Sequence, residues 1–443
     1  MSFLPRARFT IVFILLPFSQ LFAQEIHKQT SLDFLTLMNN AQYQQAFAMF
    51  DTVVKSNVTE YYFETSWQTA MKQLGTMKDY KFNREETSMP YQITYITCNF
   101  DLSPLDLKLV FNNNNKIVGF YFVPPSDPKY KYAPPAYDKP ELYNEKEILV
   151  ITGKYRMPGT LILPVGVTKP PVVILVHGSG PSDMDESVGP NKIFRDMAVG
   201  LAAQGIATIR YQKRTRIYGR MIVEAPIQAT VQDETIDDVI SAVKLACQLP
   251  DVDSNRIYIL GHSLGAMLAP RIAEECPKIK KVIMMAGNAR SLLDILPEQM
   301  KYLESIDSAN IAGENEKAKW DKEITVAKSD DLKPNTPDSL LPFKMDAMYW
   351  IDLNHYDQVK TAEGLTVPVL IMQGERDYQV TMTDFNLWKE SLSTKPNVEF
   401  KSYPKLNHLF IEGVGKSVPA EYKKPGNVPD YVINDLANWI NKK

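Results

Sequence analysis

Ser263 stands between two glycines, in Leu260-Gly261-His262-Ser263-Leu264-Gly265-Ala266, where an apolar run gives way to a helical pattern. A hydroxyl at such a joint suits nucleophilic attack. The turn must be sharp, so it lifts the serine to the helix N-terminus, and the glycines let neighbouring backbone close in. Serine needs a base to take its proton as it attacks. The chain has five histidines: His27, His177, His262, His355 and His408. His27 lies near the N-terminus, His262 abuts the nucleophile and points away as an adjacent strand residue, and His177 ends a strand and organises the loop after it. His355 falls in an irregular interval and His408 just after the last expected strand. The order nucleophile, acid, base selects His408.

The base needs a carboxylate to hold its tautomer and stabilise the imidazolium. Gly374-Glu375-Arg376-Asp377 follows the strand expected over 367–372. Asp377 is assigned the role, and Glu375 reads as pairing with a nearby base or with solvent. A tetrahedral intermediate also needs donors for its oxyanion. One is the N–H of Leu264, at the start of the helix. The second is expected from His177-Gly178-Ser179-Gly180-Pro181, with Ser179 the donor and Gly180 close to substrate. Lys213, Arg214 and Arg216 follow another strand at the same sheet edge. They offer a site for a carboxylate-bearing substrate, Arg214 foremost, or else form a solvated or internally paired cluster. Tyr349, Trp350 and Tyr356 either line a substrate pocket or form the core of an insertion. No metal-ligand spacing and no cofactor motif accompanies these residues.

The elements that position them alternate. Strands are expected over 148–151 and 160–163 as an opening hairpin, then over 172–176, 206–211, 257–260, 282–285, 367–372 and 398–403. Helices intervene from 191–204, from Thr230 with Asp233 three residues on as a cap, after Ser263, and at the C-terminus. The continuous apolar run over 172–176 is typical of a strand buried on both faces. Repeated βα units imply a mostly parallel sheet with helices on both sides. Between about 288 and 364 the rhythm breaks into charged and mixed helical sequence, where a cap over the site would sit.

Residues 31–124 read as a small α+β unit. Leu32, Phe34, Leu35, Leu37, Met38, Ala46, Phe47 and Phe50 suggest short amphipathic helices, continued by Trp67, Met71 and Leu74. Strands follow in which Leu107, Leu109 and Phe111, then Val118, Phe120 and Phe122, alternate about a turn at Asn112–Asn115. A proline-rich linker spans 125–143. At the N-terminus, Arg6 and Arg8 precede an apolar run from Phe9 to Phe18, and no acidic residue appears before Glu25. This predicts a signal peptide over 1–23, export to the periplasm or beyond, and no membrane span after cleavage. The charges nearly balance, 49 basic against 52 acidic, with no basic stripe, which argues against a nucleic-acid partner. Three cysteines at irregular spacing make no disulfide framework. Cys247 and Cys276 fall near helix ends, where they either pair or remain free thiols.

The stretch His177-Gly-Ser-Gly-Pro181, with Asp183, Asp185-Glu186 and Gly189-Pro190-Asn191-Lys192, resembles bacterial carboxylesterases of the dienelactone-hydrolase-like branch. Arg210-Tyr-Gln-Lys-Arg-Thr215, the serine turn, Tyr349-Trp350 and Gly374-Glu-Arg-Asp377 extend the resemblance over about 145–443. Gln212 departs from it, standing where many relatives carry Asp. The resemblance implies an α/β-hydrolase fold with a helical cap and a Ser263, Asp377, His408 triad. The N-terminal unit is similar to cystatin-like or NTF2-like modules. The resulting expectation is an exported serine hydrolase cleaving small carboxylic esters through an acyl-enzyme, without a cofactor. A peptidase or acyl transferase uses the same residues, and a binding protein on a hydrolase scaffold is the reading from another class. Oligomeric state is left open.

Overall fold

The computed structural model describes residues 18–88, 91–101, 104–123, 125, 131–219, 229–306 and 314–442. The chain divides into two units, Met1–Tyr130 and Lys131–Lys443. In the first, helices α1 (Phe18–Asn39), α2 (Tyr43–Ala48), α3 (Thr52–Asn57) and α4 (Glu60–Leu74) accompany a four-stranded sheet. Its strands are β1 (Met77–Ser88), β2 (Tyr91–Phe100), β3 (Pro104–Phe111) and β4 (Ile117–Val123), antiparallel in that order. Residues Leu32 to Met38 belong to one long helix rather than the short one expected. Asp51 and Thr59 cap α3 and α4, and Gly75, at φ 82°, ends α4. Phe34, Phe50, Phe63 and Phe120 form the heart of the core, with ring centroids 5.3–6.3 Å apart. The Asn112–Asn115 turn joins β3 to β4, its Oδ1 at Asn112 accepting the N–H groups of Asn114 and Lys116. The expected signal peptide lies largely outside the described residues. No helix among those described is long and apolar enough to cross a membrane.

The second unit carries an eight-stranded sheet with β5 (Tyr143–Thr152), β6 (Tyr155–Pro164), β7 (Val172–Val176), β10 (Ala207–Tyr211), β11 (Ile257–His262), β12 (Ile279–Met285), β13 (Val369–Gly374) and β14 (Val398–Tyr403). A two-strand ladder, β8 (Ser187–Val188) with β9 (Asn191–Lys192), stands apart, so the next helix opens at Ile193 instead of Asn191. The sheet order is β14-β13-β12-β11-β7-β10-β6-β5. From β10 to β14 all neighbours are parallel, and β6 pairs antiparallel with both β10 and β5. This is the expected α/β-hydrolase architecture.

Helices α5 (Ile193–Ala203) and the C-terminal Asp430–Asn441 pack one face through Phe194, Met197, Val432 and Leu436. The other face is covered by helices α7 (Asp237–Gln248) and α8 (Leu264–Glu275), α6 (Arg214–Tyr218) being a single short turn at the sheet edge. Thr230 and Asp233 do cap the α7 region, through Thr230 N–H and Oγ1 to Asp233 Oδ2 at 3.1 and 3.2 Å. The turn they open, Gln232–Ile236, is π-helical. Such wide turns recur where a helix must deliver a side chain off its regular register.

The interval 288–364 folds as α9 (Leu292–Ile306), α10 (Glu314–Lys328), two short 3-10 turns, α11 (Ala347–His355) and α12 (Gln358–Gly364). Helix α13 (Met382–Leu392) then follows β13. Ile324, Ala327, Leu341, Ala347, Trp350 and Ala362 are buried in the same core as α7 and α8, so the insertion is integral to that face. The part of the proline-rich stretch described here is fastened to the hydrolase unit. Tyr132 donates to Asp196 at 2.7 Å and Tyr137 to the Val428 carbonyl at 2.6 Å. Cys98, Cys247 and Cys276 are unpaired thiols.

Candidate active site

All six residues of β11 are buried, and the chain turns from it into α8 within one residue. That residue is Ser263, at φ 54° and ψ −119°. A non-glycine residue there costs about 1–3 kcal/mol and persists only where the surroundings over-determine it. The surroundings do so here. A Cβ on Gly261 would overlap the carbonyl of Gly265, and one on Gly265 would overlap the carbonyls of Val176 and His177. The Ser263 N–H is tied to the Met285 carbonyl at 2.9 Å. Ser263 is partly exposed between the buried His262 and Leu264.

The loops after β13 and β14 meet. His408 Nδ1 lies 2.6 Å from Asp377 Oδ2, with both side chains almost wholly buried. The N–H groups of Gln379 and Val380 donate to Asp377 Oδ1 at 2.7 and 3.1 Å, and Gln373 Nε2 donates to Oδ2 at 3.2 Å. A carboxylate with four donors around it is fixed in orientation. Glu375 is exposed and bonded by Ser402 at 2.8 Å. Arg376, buried between them, ties down the 413–421 loop through Glu421 and the carbonyls of Val414 and Gly415.

The loop after β7 passes beside the serine. A Cβ on Gly178 would stand 3.1 Å from Ser263 Cβ. The Gly178 N–H is taken by Glu186 Oε1 at 2.6 Å. The next N–H in the loop belongs to the exposed Ser179, followed by Gly180 at φ 81°. The Leu264 N–H opens α8 and so lacks an intrahelical partner. His177 is buried against Asp183, its Nε2 donating to that carbonyl at 3.0 Å, and burial lowers its pKa to about 4. It is a neutral organiser of this loop.

The remaining histidines are occupied elsewhere. His27 bridges Glu85 and Asn115 in the N-terminal unit, and the exposed His355 bonds the Ile351 carbonyl of its own helix. His262 stands with Nε2 2.9 Å from the His408 carbonyl and Nδ1 3.2 Å from Glu186 Oε1.

Of the alternatives open for the pocket residues, the structure takes the internally packed one. Arg214 does not present its charge to a ligand. It is buried, pairs both guanidinium arms with Asp238 (Nε to Oδ2 at 3.0 Å) and lies over the Tyr155 ring. Lys213 is likewise buried and paired with Glu234. Tyr349 and Trp350 are buried in the insertion's core instead of forming an open wall. Tyr349 donates its hydroxyl to Glu234 Oε2 at 2.9 Å. Tyr356 braces α8 by donating to the Met267 carbonyl. The contacts of Gln373, Glu186 and His262 went unread in the sequence, because each is made with a partner that only the tertiary fold supplies. Among the described residues no cluster of three His, Cys, Asp or Glu side chains is placed to hold a metal.

The chain also matches known proteins in both of its units. A family model described as "Serine aminopeptidase, S33" matches residues 171–412, and one described as "Protein of unknown function (DUF3887)" matches residues 31–120. The chain is 36% identical over 416 residues to Esterase EstD of Thermotoga maritima, covering 94% of this chain and 95% of that protein. Among solved structures, Est1E from Butyrivibrio proteoclasticus aligns at 15% identity over 67% of this chain and 99% of its own, with a TM-score of 0.43. The Pyrococcus furiosus esterase Pf2001 aligns at 18% identity over 70% and 98%, also at 0.43.

Proposed function

This chain belongs to the serine-hydrolase family that those matches define, and on that premise we propose that Ser263, His408 and Asp377 act as its catalytic triad. The protein is a carboxylesterase-like hydrolase. In the proposed reaction His408 takes the Ser263 proton as Oγ attacks the ester carbonyl. The N–H groups of Leu264 and Ser179 receive the developing oxyanion. Collapse of the tetrahedral intermediate breaks the bond to the alkoxide, which leaves with the proton from His408. An acyl-enzyme remains on Ser263. Water, deprotonated by the same imidazole, attacks it and releases the acid.

The observation that carries this reading is the buried 2.6 Å pair of His408 Nδ1 and Asp377 Oδ2, whose loop is joined to the strained Ser263 turn where His262 Nε2 meets the His408 carbonyl. The pair fixes the tautomer in which Nε2 is free to accept a proton. Fluorophosphonate labelling of the wild-type chain at Ser263, absent in Ser263→Ala, tests it. Labelling that persists in the variant would sink it.

Substrates are proposed to be small, uncharged carboxylic esters. Of the three cations expected at the rim, Lys213 and Arg214 are committed to buried carboxylates and Arg216 is exposed, which weakens the reason to favour an anionic substrate. The family description names an aminopeptidase, which favours amide cleavage as the second reading. Matched ester and amide substrates with one leaving group distinguish the two. The basic and then apolar N-terminus supports export to the periplasm or medium. N-terminal sequencing of the protein recovered outside the cytoplasm, starting near residue 24, is the expected result; an intact Met1 there would overturn it.

A further inference from the structure

A run of buried charges lies behind the Gly178–Gly180 loop, and the acyl-transfer steps above make no use of it. Lys213 is 2% exposed. Its Nζ donates to the Gly178 carbonyl at 2.7 Å and to Glu234 Oε1 at 2.5 Å. The other oxygen of Glu234 accepts the hydroxyl of Tyr349, on helix α11 of the insertion, at 2.9 Å. Glu234 emerges from the π-helical turn before α7, which displaces it from a regular helical position. Tyr349 is buried, and burial together with the Glu234 charge keeps its proton on, so it remains a donor.

The carbonyl that Lys213 holds has a particular meaning. The Gly178 C=O and the Ser179 N–H belong to one planar trans peptide, and they point in opposite directions. An ammonium gripping the oxygen therefore fixes where the N–H aims. It also draws electron density toward the oxygen, which strengthens the N–H as a donor. The same residue is held from its other side, since the Gly178 N–H donates to Glu186 Oε1 at 2.6 Å. Glu186 in turn faces His262, whose Nε2 donates to the His408 carbonyl. Burial disfavours the charge on each of these two groups, and their mutual attraction, with the Gly178 N–H on Glu186 and the His408 carbonyl on His262, offsets that penalty. The Glu186 carboxyl lies below its ordinary range and the His262 ring above its own. A continuous set of contacts thus runs from α11 through the loop after β7 to the loop that bears the base.

We propose that Lys213 is a positioning residue for the Ser179 N–H as oxyanion donor, and that Glu234 and Tyr349 tie its setting to the insertion. The proposal rests on the triad reading above. In it, Tyr349 links the packed insertion to Glu234. That contact holds Lys213 on the Gly178 carbonyl, so the oxyanion donor is set when the cap is seated.

The test uses the full chain and counts active sites by fluorophosphonate titration, so that rates refer to folded enzyme. Lys213→Met with Glu234→Gln removes both buried charges at once and leaves no lone ion behind. Turnover of an activated ester per titrated site is expected to fall about 100-fold, the loss typical of one oxyanion donor, with KM within about twofold. The affinity of a trifluoromethyl ketone, which forms a tetrahedral oxyanion adduct, should fall in parallel. Tyr349→Phe, which deletes one oxygen, should lower turnover per site about threefold to tenfold and weaken the ketone equally. Variants that turn over at the wild-type rate per titrated site, with lower thermal stability alone, would show a purely structural network and overturn the proposal. If the double variant does not fold, Tyr349→Phe decides the matter. Failure of the wild-type chain to label at Ser263 is a different result, and it removes the triad reading itself.

Discussion

Replacing Asp377 with asparagine should disable the enzyme while leaving its shape intact, and the hydrogen bonds around the carboxylate say by how much. Asp377 Oδ1 accepts two backbone N–H groups, from Gln379 and Val380, and Oδ2 faces His408 Nδ1 and Gln373 Nε2, the latter keeping the Gly374 and Val380 carbonyls as other acceptors. The amide oxygen of the introduced asparagine would keep the two N–H donors, which leaves its NH2 facing His408. The imidazole must then accept at Nδ1 and carry its proton on Nε2, where it cannot take the proton of Ser263. Turning the amide over restores the useful tautomer but leaves two buried N–H groups facing an NH2. At about 1–3 kcal/mol for each unsatisfied donor, reaching that state costs about 2–6 kcal/mol. At 1.36 kcal/mol per decade this alone slows turnover between roughly 30-fold and 10⁴-fold. Loss of the negative charge opposite the imidazolium adds to it, so the expected fall in kcat is about 10⁴ with KM little changed. The assay is initial-rate hydrolysis of an activated ester, with folding checked by circular dichroism and Glu375→Gln as control. The control should stay within about twofold, because the Glu375 side chain is exposed and bonded by Ser402. A folded Asp377→Asn enzyme within about tenfold of wild type would refute the assignment of the acid.

Three other perturbations test the surrounding structure. Gly265→Ala drives a methyl group into the carbonyls of Val176 and His177, so a loss of about 3 kcal/mol or more in urea unfolding is expected, with little titratable Ser263. Arg214→Leu leaves Asp238 buried without its partner and should cost about 3–5 kcal/mol; the ratio of kcat/KM for neutral and anionic esters should not move, and a selective loss of the anionic ester would restore Arg214 to the pocket. His177 titrates near 4 in the fold against 6.5 when free, because burial opposes its charge. The unfolded chain therefore takes up this proton first as pH falls, so the contribution is complete above about pH 6.5 and is lost toward about pH 4. Its size is roughly 3 kcal/mol, and His177→Asn should flatten the pH dependence of urea unfolding over that range by that amount.

How much of this was legible in the sequence depends on the range over which each feature is determined. The serine turn is local. An apolar strand, two glycines and a helix in close succession force it, and the overlaps at Gly261 and Gly265 supply the physical reason. Most of the sheet was equally plain, since β7, β10, β11 and β13 are buried along their whole length and carry mostly apolar residues. In the N-terminal unit β1 and β2 were not anticipated. The sequence of β1 is largely charged and polar, and β2 buries Ile93, Thr94, Tyr95 and Ile96 in succession, so neither shows an alternation of period two. The donors to Asp377 were hidden in another way: Gln373 lies on a strand otherwise apolar, and only the neighbouring loop shows what its amide does.

The basic cluster shows most clearly what a linear reading loses. Lys213 and Arg214 are adjacent, carry the same charge and follow the same strand, so charge alone assigns both to the rim of a pocket. Their backbones differ. Lys213 is extended, at φ −62° and ψ 142°, whereas Arg214 is the first residue of a helical turn. That change of conformation sends the two side chains apart. Arg214 meets Asp238, 24 residues on, and lies over Tyr155. Lys213 turns in to the Gly178 carbonyl and to Glu234, 21 residues on. Each carboxylate rises from the same stretch of chain, Glu234 from the π-helical turn and Asp238 from the regular helix after it. The wider turn therefore decides which acid reaches which base. One cation is left to hold the packing of the sheet edge, and the other is set against the peptide whose N–H we propose as the oxyanion donor.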